Sequence, residues 1–453
     1  MVKIHQTLGQ GLTVTDIYKS PTLRELAARI MAGAAAEELV DLAKESQLDA
    51  ELAAQRTECR RVPERALLVT GCTGFVGRFL LAQLLQETDA TLYCLVRPQA
   101  TQQARVRLRA ALRKWDLWTP EAERRVVAVP ADLSRPKLGL RDGVYEVLAE
   151  SIDSVYHCAT SMNHLETYAM AKAANVEATR DLLKFATQGR PKLINYISTL
   201  SVFGEAPGGV ARLVTEDTPV DRERHLTSHG YAASKWVSEK MLITAAERGI
   251  ACNIFRLGLV WADAQHGRYD ELQREYRLIK SCLSAGVGIE DYGYGMAPLP
   301  VDYVARAILA LARQSPRGGG IYHLASCEQP AGGLFERCNE LAEVSLDLLP
   351  QYEWIGAIKR LHDAGVPLPV VPLIEFAFPM TEAAFDEYCR EADSPGTRFD
   401  CSRTLRALEQ AGMAAPRWSV DLLEKCVVGM ISRDAELQRL LETQSRTARR
   451  KYA

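Results

Sequence analysis

Long apolar runs, a strong excess of one charge and cysteines in ligand spacing are all missing from this chain. No stretch approaches the ~18 consecutive apolar residues that a membrane helix needs, so a membrane protein is not expected. The start, MVKIHQTLGQ, lacks the apolar core of a secretion signal, and the cytoplasm is the expected compartment. Lysine and arginine number 55 against 57 acidic residues, for a formal net charge of -2. That balance has no polyelectrolyte character, and nucleic acid is not expected as a partner. The 11 cysteines are odd in number and scattered through apolar runs such as TLYCLV and VYHCAT. Without a CxxC pair or a Cys/His cluster they read as buried free thiols, and no metal is expected.

What is present is enough chain, 453 residues with a hydrophobic fraction of 47%, to build two or three compact units. Near the start, SPTLRELAARI reads as a helix with Ser20 as N-cap, Pro21 in the first turn and Glu25 nearby. An Ala/Glu-rich stretch over 36–63 follows and suits an exposed helical linker. From Ala66 onward, short β-rich runs (ALLVTG, TLYCLV, RVVAVPADL, SVYHCA, KLINYIST) alternate with helical patterns. Such alternation predicts an α/β fold, a doubly wound parallel Rossmann sheet with helices on both faces, over 64–330. After about Gly258 the rhythm weakens. Residues 331–453 read as a mostly helical substrate-binding subdomain, with 205–228 and 262–298 expected to contribute to the substrate side.

The run LLVTGCTGFVGRFLLAQLL is a strand, a glycine loop and an apolar helix. Gly71, Gly74 and Gly77 stand where a backbone must approach a pyrophosphate closely, and Thr73, Phe75 and Val76 complete the loop. The helix N-terminus adds amide donors and a partial positive charge. At the end of the second strand, where an acid would hold the ribose hydroxyls of NAD, stands Arg97. A guanidinium can pair with a 2′-phosphate and a carboxylate would repel it, so NADPH is the expected cofactor. Arg105, Arg107, Arg109 and Arg113 follow on one helix and read mostly as a solvated face, Arg107 being singled out below. Asp132 and Leu133 close the third strand, placed to touch the adenine, and Ala159 closes the fourth.

In SHGYAASKWVSEKML, Tyr231 and Lys235 are four apart on a predicted helix and share one face. INYISTLSVFG carries Ser198 and Thr199 toward the cofactor end of a strand. A tyrosine with a free pKa near ~10 is a weak acid at neutral pH, and a neighbouring ammonium is expected to favour its ionised form. Tyr231 is then expected to give a proton to a carbonyl oxygen as hydride arrives, with Lys235 lowering its pKa and binding the nicotinamide ribose and Thr199 hydrogen-bonding the oxyanion. Cys158 follows His157, but adjacent strand residues point to opposite faces, so a Cys/His nucleophile is not expected.

Together TGCTGFVG, HCATSMNH, NVEATRDLL, STLSVFG and YAASK resemble an extended short-chain dehydrogenase/reductase. CLVRP with ARVRL is similar to its thioester reductase branch, which includes the terminal reductase domains of nonribosomal peptide and polyketide synthases. The resemblance runs from about Ala66 to the C-terminus, where TRFDCSRTLRAL resembles the family's late RFD segment. It implies Thr199, Tyr231 and Lys235 as catalytic triad, the glycine loop for the phosphates, Arg97 and Arg107 on the 2′-phosphate, and Gly258 beside the nicotinamide. Two departures stand out: Arg256, Leu257 and Gly258 replace the branch's Arg-Pro-Gly, and AAPRWS replaces a Cys-Pro pair.

TVTDIYKSPTLRELAARI looks like the last helices of a phosphopantetheine carrier domain, so residues 1–35 are expected to be its C-terminal remnant and the piece to be monomeric. The implied reaction is NADPH-dependent release of an acyl or peptidyl thioester from that carrier as an aldehyde, with a second reduction to an alcohol left open. Two alternatives remain from the residues themselves. One is an extended short-chain reductase or epimerase of soluble substrates, against which the carrier-like start argues. The other is a silent docking domain, against which the intact Thr199, Tyr231 and Lys235 argue.

Overall fold

The computed structural model describes residues 20, 22–32, 40–52, 64–97, 101–163, 166–204, 212–221, 230–290, 292, 297–315, 319–326, 333–342, 345–377, 397–417 and 419–442. Its centre is a seven-stranded parallel sheet. The strands are β1 (Ala66–Thr70), β2 (Thr91–Val96), β3 (Val126–Pro130), β4 (Ser154–His157), β5 (Leu193–Thr199), β6 (Cys252–Leu257) and β7 (Ile321–Leu324). Their spatial order, β7-β6-β5-β4-β1-β2-β3, reverses direction at β1 and β4. That reversal is the doubly wound arrangement, with its ligand crevice outside the carboxyl ends at the switch point. Strand β1 is apolar up to Thr70, because all five of its residues are buried between helical layers.

On one face, helices Phe75–Glu87, Thr101–Arg113 and Val301–Gln314 bury Phe79, Leu84, Leu108 and Ile308 against the sheet. On the other, Asp142–Ser151, the segment Tyr168–Thr187 and Gly230–Glu247 do the same with Leu148, Leu183, Trp236 and Met241. A separate apolar cluster is built by helices Arg274–Ala285, Leu334–Ala342, Gln351–Asp363 and Val420–Arg433, centred on Ile279, Phe335, Trp354 and Val427. One piece beyond residue 331 leaves that cluster: Thr397–Phe399 pairs with Arg212–Val214, and Leu408 of the next helix packs into the core under the sheet. No helix among the described residues is long and apolar enough to cross a membrane.

Two local readings change. The helix Leu23–Ala32 is capped by Thr22 rather than Ser20: Thr22 Oγ1 accepts from Glu25 N (3.3 Å) while Glu25 Oε2 accepts from Thr22 N (3.0 Å). This reciprocal pair is a capping box, which satisfies two orphan donors at once. The stretch expected as an exposed linker is docked over its described part, 40–52. Leu42, Leu48 and Leu52 are buried in the cluster under Trp236, and Arg180 and Arg248 donate to the carbonyls of Gln47 and Asp49. The remainder of 36–63 lies outside the described residues, as do most of 205–228 and residues 378–396 of the subdomain expected to be mostly helical.

Candidate active site

Each expected site residue lies at the carboxyl end of a sheet strand or on the helix facing it. Gly71 leaves β1 at φ +69°, and a Cβ there would stand 2.5 Å from the nitrogen of Ala159, the residue that ends the β4 turn. Gly77 brings the following helix so close that a Cβ would meet the carbonyl oxygen of Gly71 at 2.2 Å. The helix Phe75–Glu87 starts at Gly74, which offers no side chain to cap it. Its first-turn amides are therefore left for an anion, as a dinucleotide's phosphates require. Thr70 Oγ1 accepts from Ala159 N (3.2 Å), joining the β1 and β4 ends. Phe75 is buried and Thr73 and Val76 are partly so.

Arg97 is exposed just past β2, and Arg107 Nη1 donates to its carbonyl oxygen at 2.6 Å. The neighbouring arginines are otherwise engaged: Arg105 and Arg109 both pair with Glu123, and Arg109 also lies over Trp118. Arg97 and Arg107 thus form a cationic pair at the β2 end. Asp132 caps its own turn through Ser134, whose hydrogen bond holds its carboxyl below the usual range, with the Arg97 charge contributing. Leu133 is partly buried beside it. Gly258 follows β6 and donates to Leu324 O (2.9 Å).

Tyr231 and Lys235 ride on the helix Gly230–Glu247, whose start is pressed onto the 166–168 turn: a Cβ at Gly230 would stand 2.2 Å from Glu166 O. The Thr199 hydroxyl lies near enough to the Tyr231 phenol to favour its ionised form, and Thr199 Oγ1 donates to Ser201 Oγ at 3.1 Å. Lys235 Nζ donates to Ile197 O (2.7 Å) and Tyr196 Oη (3.3 Å), and sits 4.5 Å from the centre of the Tyr196 ring. Burial pushes the Tyr231 phenol up, while the Lys235 ammonium and the Thr199 hydroxyl pull it down. The lysine acts in the direction expected from the sequence, but in the protein alone desolvation outweighs it. Burial pushes Lys235 down in turn, and Tyr231 opposes that.

Asn175, Glu239 and His323 escaped the sequence reading, and Arg256, noted there only as a departure from the branch's Arg-Pro-Gly, gains partners. Asn175 lies in a five-residue π-helical turn, Ala173–Glu177. Its Oδ1 accepts from Ser161 N (2.7 Å), and its Nδ2 donates to Ser161 O and Ser234 Oγ (3.1 and 2.8 Å). It ties the β4 turn to the Tyr231 helix. Glu239, one turn past Lys235, accepts from Ser198 Oγ (2.6 Å) and from Arg256 Nε (2.7 Å), with neither charged side chain exposed. Arg256 Nη1 in turn meets His323 Nε2 at 3.1 Å, and His323 Nδ1 meets Asp400 O, in the RFD segment, at 3.0 Å. Cys158 is a partly buried thiol, pushed up to about 12 by desolvation.

Two buried imidazoles give the site an acid limit. Burial, reinforced by the Lys235 ammonium, lowers His157 to about 3, and burial with the Arg256 guanidinium lowers His323 to about 4. Unfolded, both return to ~6.5. Below that pH the unfolded chain takes up protons that the folded chain does not, so stability falls as pH drops through 6.5 toward 4 and 3. The two together are expected to remove on the order of 5 kcal/mol by pH 4. Urea unfolding at pH 7, 5 and 4 measures this, with His323→Gln flattening the slope; equal stability at pH 7 and 4 refutes it.

This is the arrangement of an oxidoreductase that uses a nicotinamide dinucleotide on a doubly wound sheet. Residues 69–308, more than half of the chain, match the NAD-binding family described as male sterility protein, and the chain belongs to that family. It is 29% identical over 380 residues to a linear gramicidin synthase of Brevibacillus parabrevis, an overlap covering 83% of this chain and 7% of that synthase. The chain therefore spans only a small part of that relative's length. Among solved structures, the terminal R domain of the myxalamid PKS-NRPS pathway superposes with a TM-score of 0.76 at 30% identity, covering 87% of this chain and 98% of that domain. A thiolation-reductase di-domain from an archaeal nonribosomal peptide synthetase shares the fold, with a TM-score of 0.68 at 17% identity over 95% of this chain and 89% of the other.

Proposed function

We propose that this chain releases an acyl or peptidyl thioester, presented on the phosphopantetheine of an upstream carrier domain, as an aldehyde at the expense of NADPH. The observation that carries the reading is Thr199 beside Tyr231, one helical turn from the Lys235 ammonium, opposite a glycine loop built for a dinucleotide. Its likeness to a terminal R domain supports the thioester as substrate, and the thiolation-reductase di-domain supports a carrier as its source.

The cofactor would be held by the Gly71–Gly77 loop at its phosphates, by Arg97 and Arg107 at a 2′-phosphate, by Asp132 and Leu133 at the adenine, and by Ala159, Tyr231, Lys235 and Gly258 toward the nicotinamide. When bound, it supplies hydride to the thioester carbon. Thr199 and Tyr231 hold the developing oxyanion, and Tyr231 gives its phenolic proton to that oxygen. Lys235 stabilises the phenolate left behind. The hemithioacetal then collapses: the C–S bond breaks, the C=O bond reforms, and the hydroxyl proton ends on the departing thiol. Incubation with NADPH and a panel of acyl-pantetheine thioesters, with products resolved by mass spectrometry, tests this. Aldehyde with equimolar free thiol is expected; hydrolysis to acid, or turnover of sugar nucleotides instead, overturns it.

Cofactor choice has its own test. Each charge-assisted contact to the 2′-phosphate contributes roughly 1.5–3 kcal/mol. Arg97→Ala is therefore expected to weaken NADPH binding by roughly tenfold to a hundredfold and leave NADH nearly unchanged, as read by fluorescence titration. Equal losses for both cofactors sink the assignment.

A further inference from the structure

Arg78 is the only basic residue of the helix Phe75–Glu87, set among apolar neighbours and 8% exposed. Its guanidinium lies over the buried Trp115 ring, 4.5 Å from the centre. Nε donates to Gly74 O at 2.9 Å, and Nη2 donates to Thr73 O at 2.8 Å and to Asp270 Oδ2 at 3.1 Å. A peptide unit is planar and trans, so fixing one carbonyl fixes the next N–H in the opposite direction. Holding Thr73 O and Gly74 O therefore sets the N–H groups of Gly74 and Phe75. The first is used within the loop, donating to Gly71 O at 2.8 Å. The second belongs to the helix's first turn and has no partner within the helix.

A buried guanidinium is disfavoured by desolvation, and burial does pull Arg78 down, with the Asp270 carboxylate opposing it. A leucine at this position would suit the packing of the helix better. Gly74 O also accepts the helical bond from Arg78 N at 3.1 Å, which any residue here would keep; what a leucine cannot do is hold the Thr73 carbonyl and clamp it to its neighbour. Asp270, the counter-ion, comes from the segment leading into helix Arg274–Ala285 of the separate helical cluster. Two residues earlier in that segment, Arg268 pairs with buried Asp263 and donates to the carbonyl of Trp115. The loop is thus braced from outside its own strand-loop-helix unit.

We propose that Arg78 is a positioning residue for the dinucleotide pyrophosphate, locking the Thr73–Gly74–Phe75 peptides with their free amide toward the phosphates, with Asp270 holding it in place. This rests on the reading of the glycine loop as a nicotinamide dinucleotide site. It separates Arg78 from Arg97 by which part of the cofactor feels its loss.

The test is direct binding, by fluorescence for NADPH and NADH and by competition for adenosine 2′-phosphate, which lacks the pyrophosphate. Arg78→Met is expected to weaken NADPH and NADH by the same factor, roughly 10- to 100-fold, and to leave adenosine 2′-phosphate unchanged. A general loosening of the fold would weaken all three, and that result overturns the proposal. So does a loss confined to NADPH, or no loss at all. If Arg78→Met does not fold, Arg78→Lys carries the test. It keeps the charge but cannot fork to both carbonyls, so the same equal loss for the two dinucleotides is expected, and unchanged affinity overturns the proposal. If the unsubstituted chain binds neither NADPH nor NADH, the reading of the loop fails and the proposal falls with it.

Discussion

Tyr231→Phe is expected to cut turnover of an acyl-pantetheine thioester by roughly 10²–10⁴, the range for losing a positioned acid, while NADPH affinity stays nearly constant. The hydroxyl is removed and the ring retained, so packing against the start of its helix is preserved. Because burial pushes the phenol up, Tyr231 is protonated at neutral pH, and the wild-type rate should decline only on the alkaline side. The same assay run on Cys158→Ala separates direct reduction from an acyl-enzyme route. A thiol raised to about 12 is almost wholly protonated at neutral pH and is a weak nucleophile, so most activity should remain. Loss of reduction in folded, NADPH-binding Cys158→Ala, or full turnover in Tyr231→Phe, would refute the mechanism.

Glu239→Gln is expected to destabilise the fold by about 3–5 kcal/mol, because it strands the Arg256 guanidinium without a counter-charge in the interior. Arg256→Met should cost a similar amount by stranding the carboxylate. The double replacement Glu239→Leu with Arg256→Met should recover most of the loss, since well-packed apolar residues of similar volume often match a buried ion pair. Chemical unfolding reads all three. A Glu239→Gln cost below about 1 kcal/mol would mean that the pair behaves as a solvated one. Ser198 donates to the same carboxylate, so the loss should also loosen the end of β5 that carries Thr199.

The parts of the site legible in the sequence were those with short, local signals. The glycine spacing, the TyrxxxLys turn and the arginine ending β2 each lie within one strand-turn-helix unit, where chain geometry alone sets what is adjacent. The parts that were not legible depend on tertiary partners. Asn175 sits in NVEATRDLL, whose pattern is that of any amphipathic helix; only the packed chain opens it into a π turn. Glu239 looks like a surface charge, and Arg256 like part of the loop beside the nicotinamide, until a helix and a strand bring them together. Arg78 did leave a trace, a lone cation inside an apolar run. Strand β7 and the helix Val301–Gln314 were missed because the rhythm of alternation had faded by then. IYHL is too short for periodicity to distinguish strand from helix. The docking of Leu42, Leu48 and Leu52 follows neither a helical nor a strand period, so no pattern announced it.

That docked segment also fixes a length. Seven residues, 33–39, separate the helix ending at Ala32 from Val40, where the anchored stretch begins. Fully extended, such a tether reaches at most ~28 Å. If the helix before it belongs to a carrier, as its sequence resemblance implies, the cargo is presented from the flank of the sheet where 40–52 docks, and its arrival is a unimolecular event. The local concentration set by a short tether is on the order of millimolar whatever the concentration of protein. Lengthening the tether with glycine and serine should then lower the delivery rate without altering any contact in the site, and a free acyl-pantetheine would not feel the change.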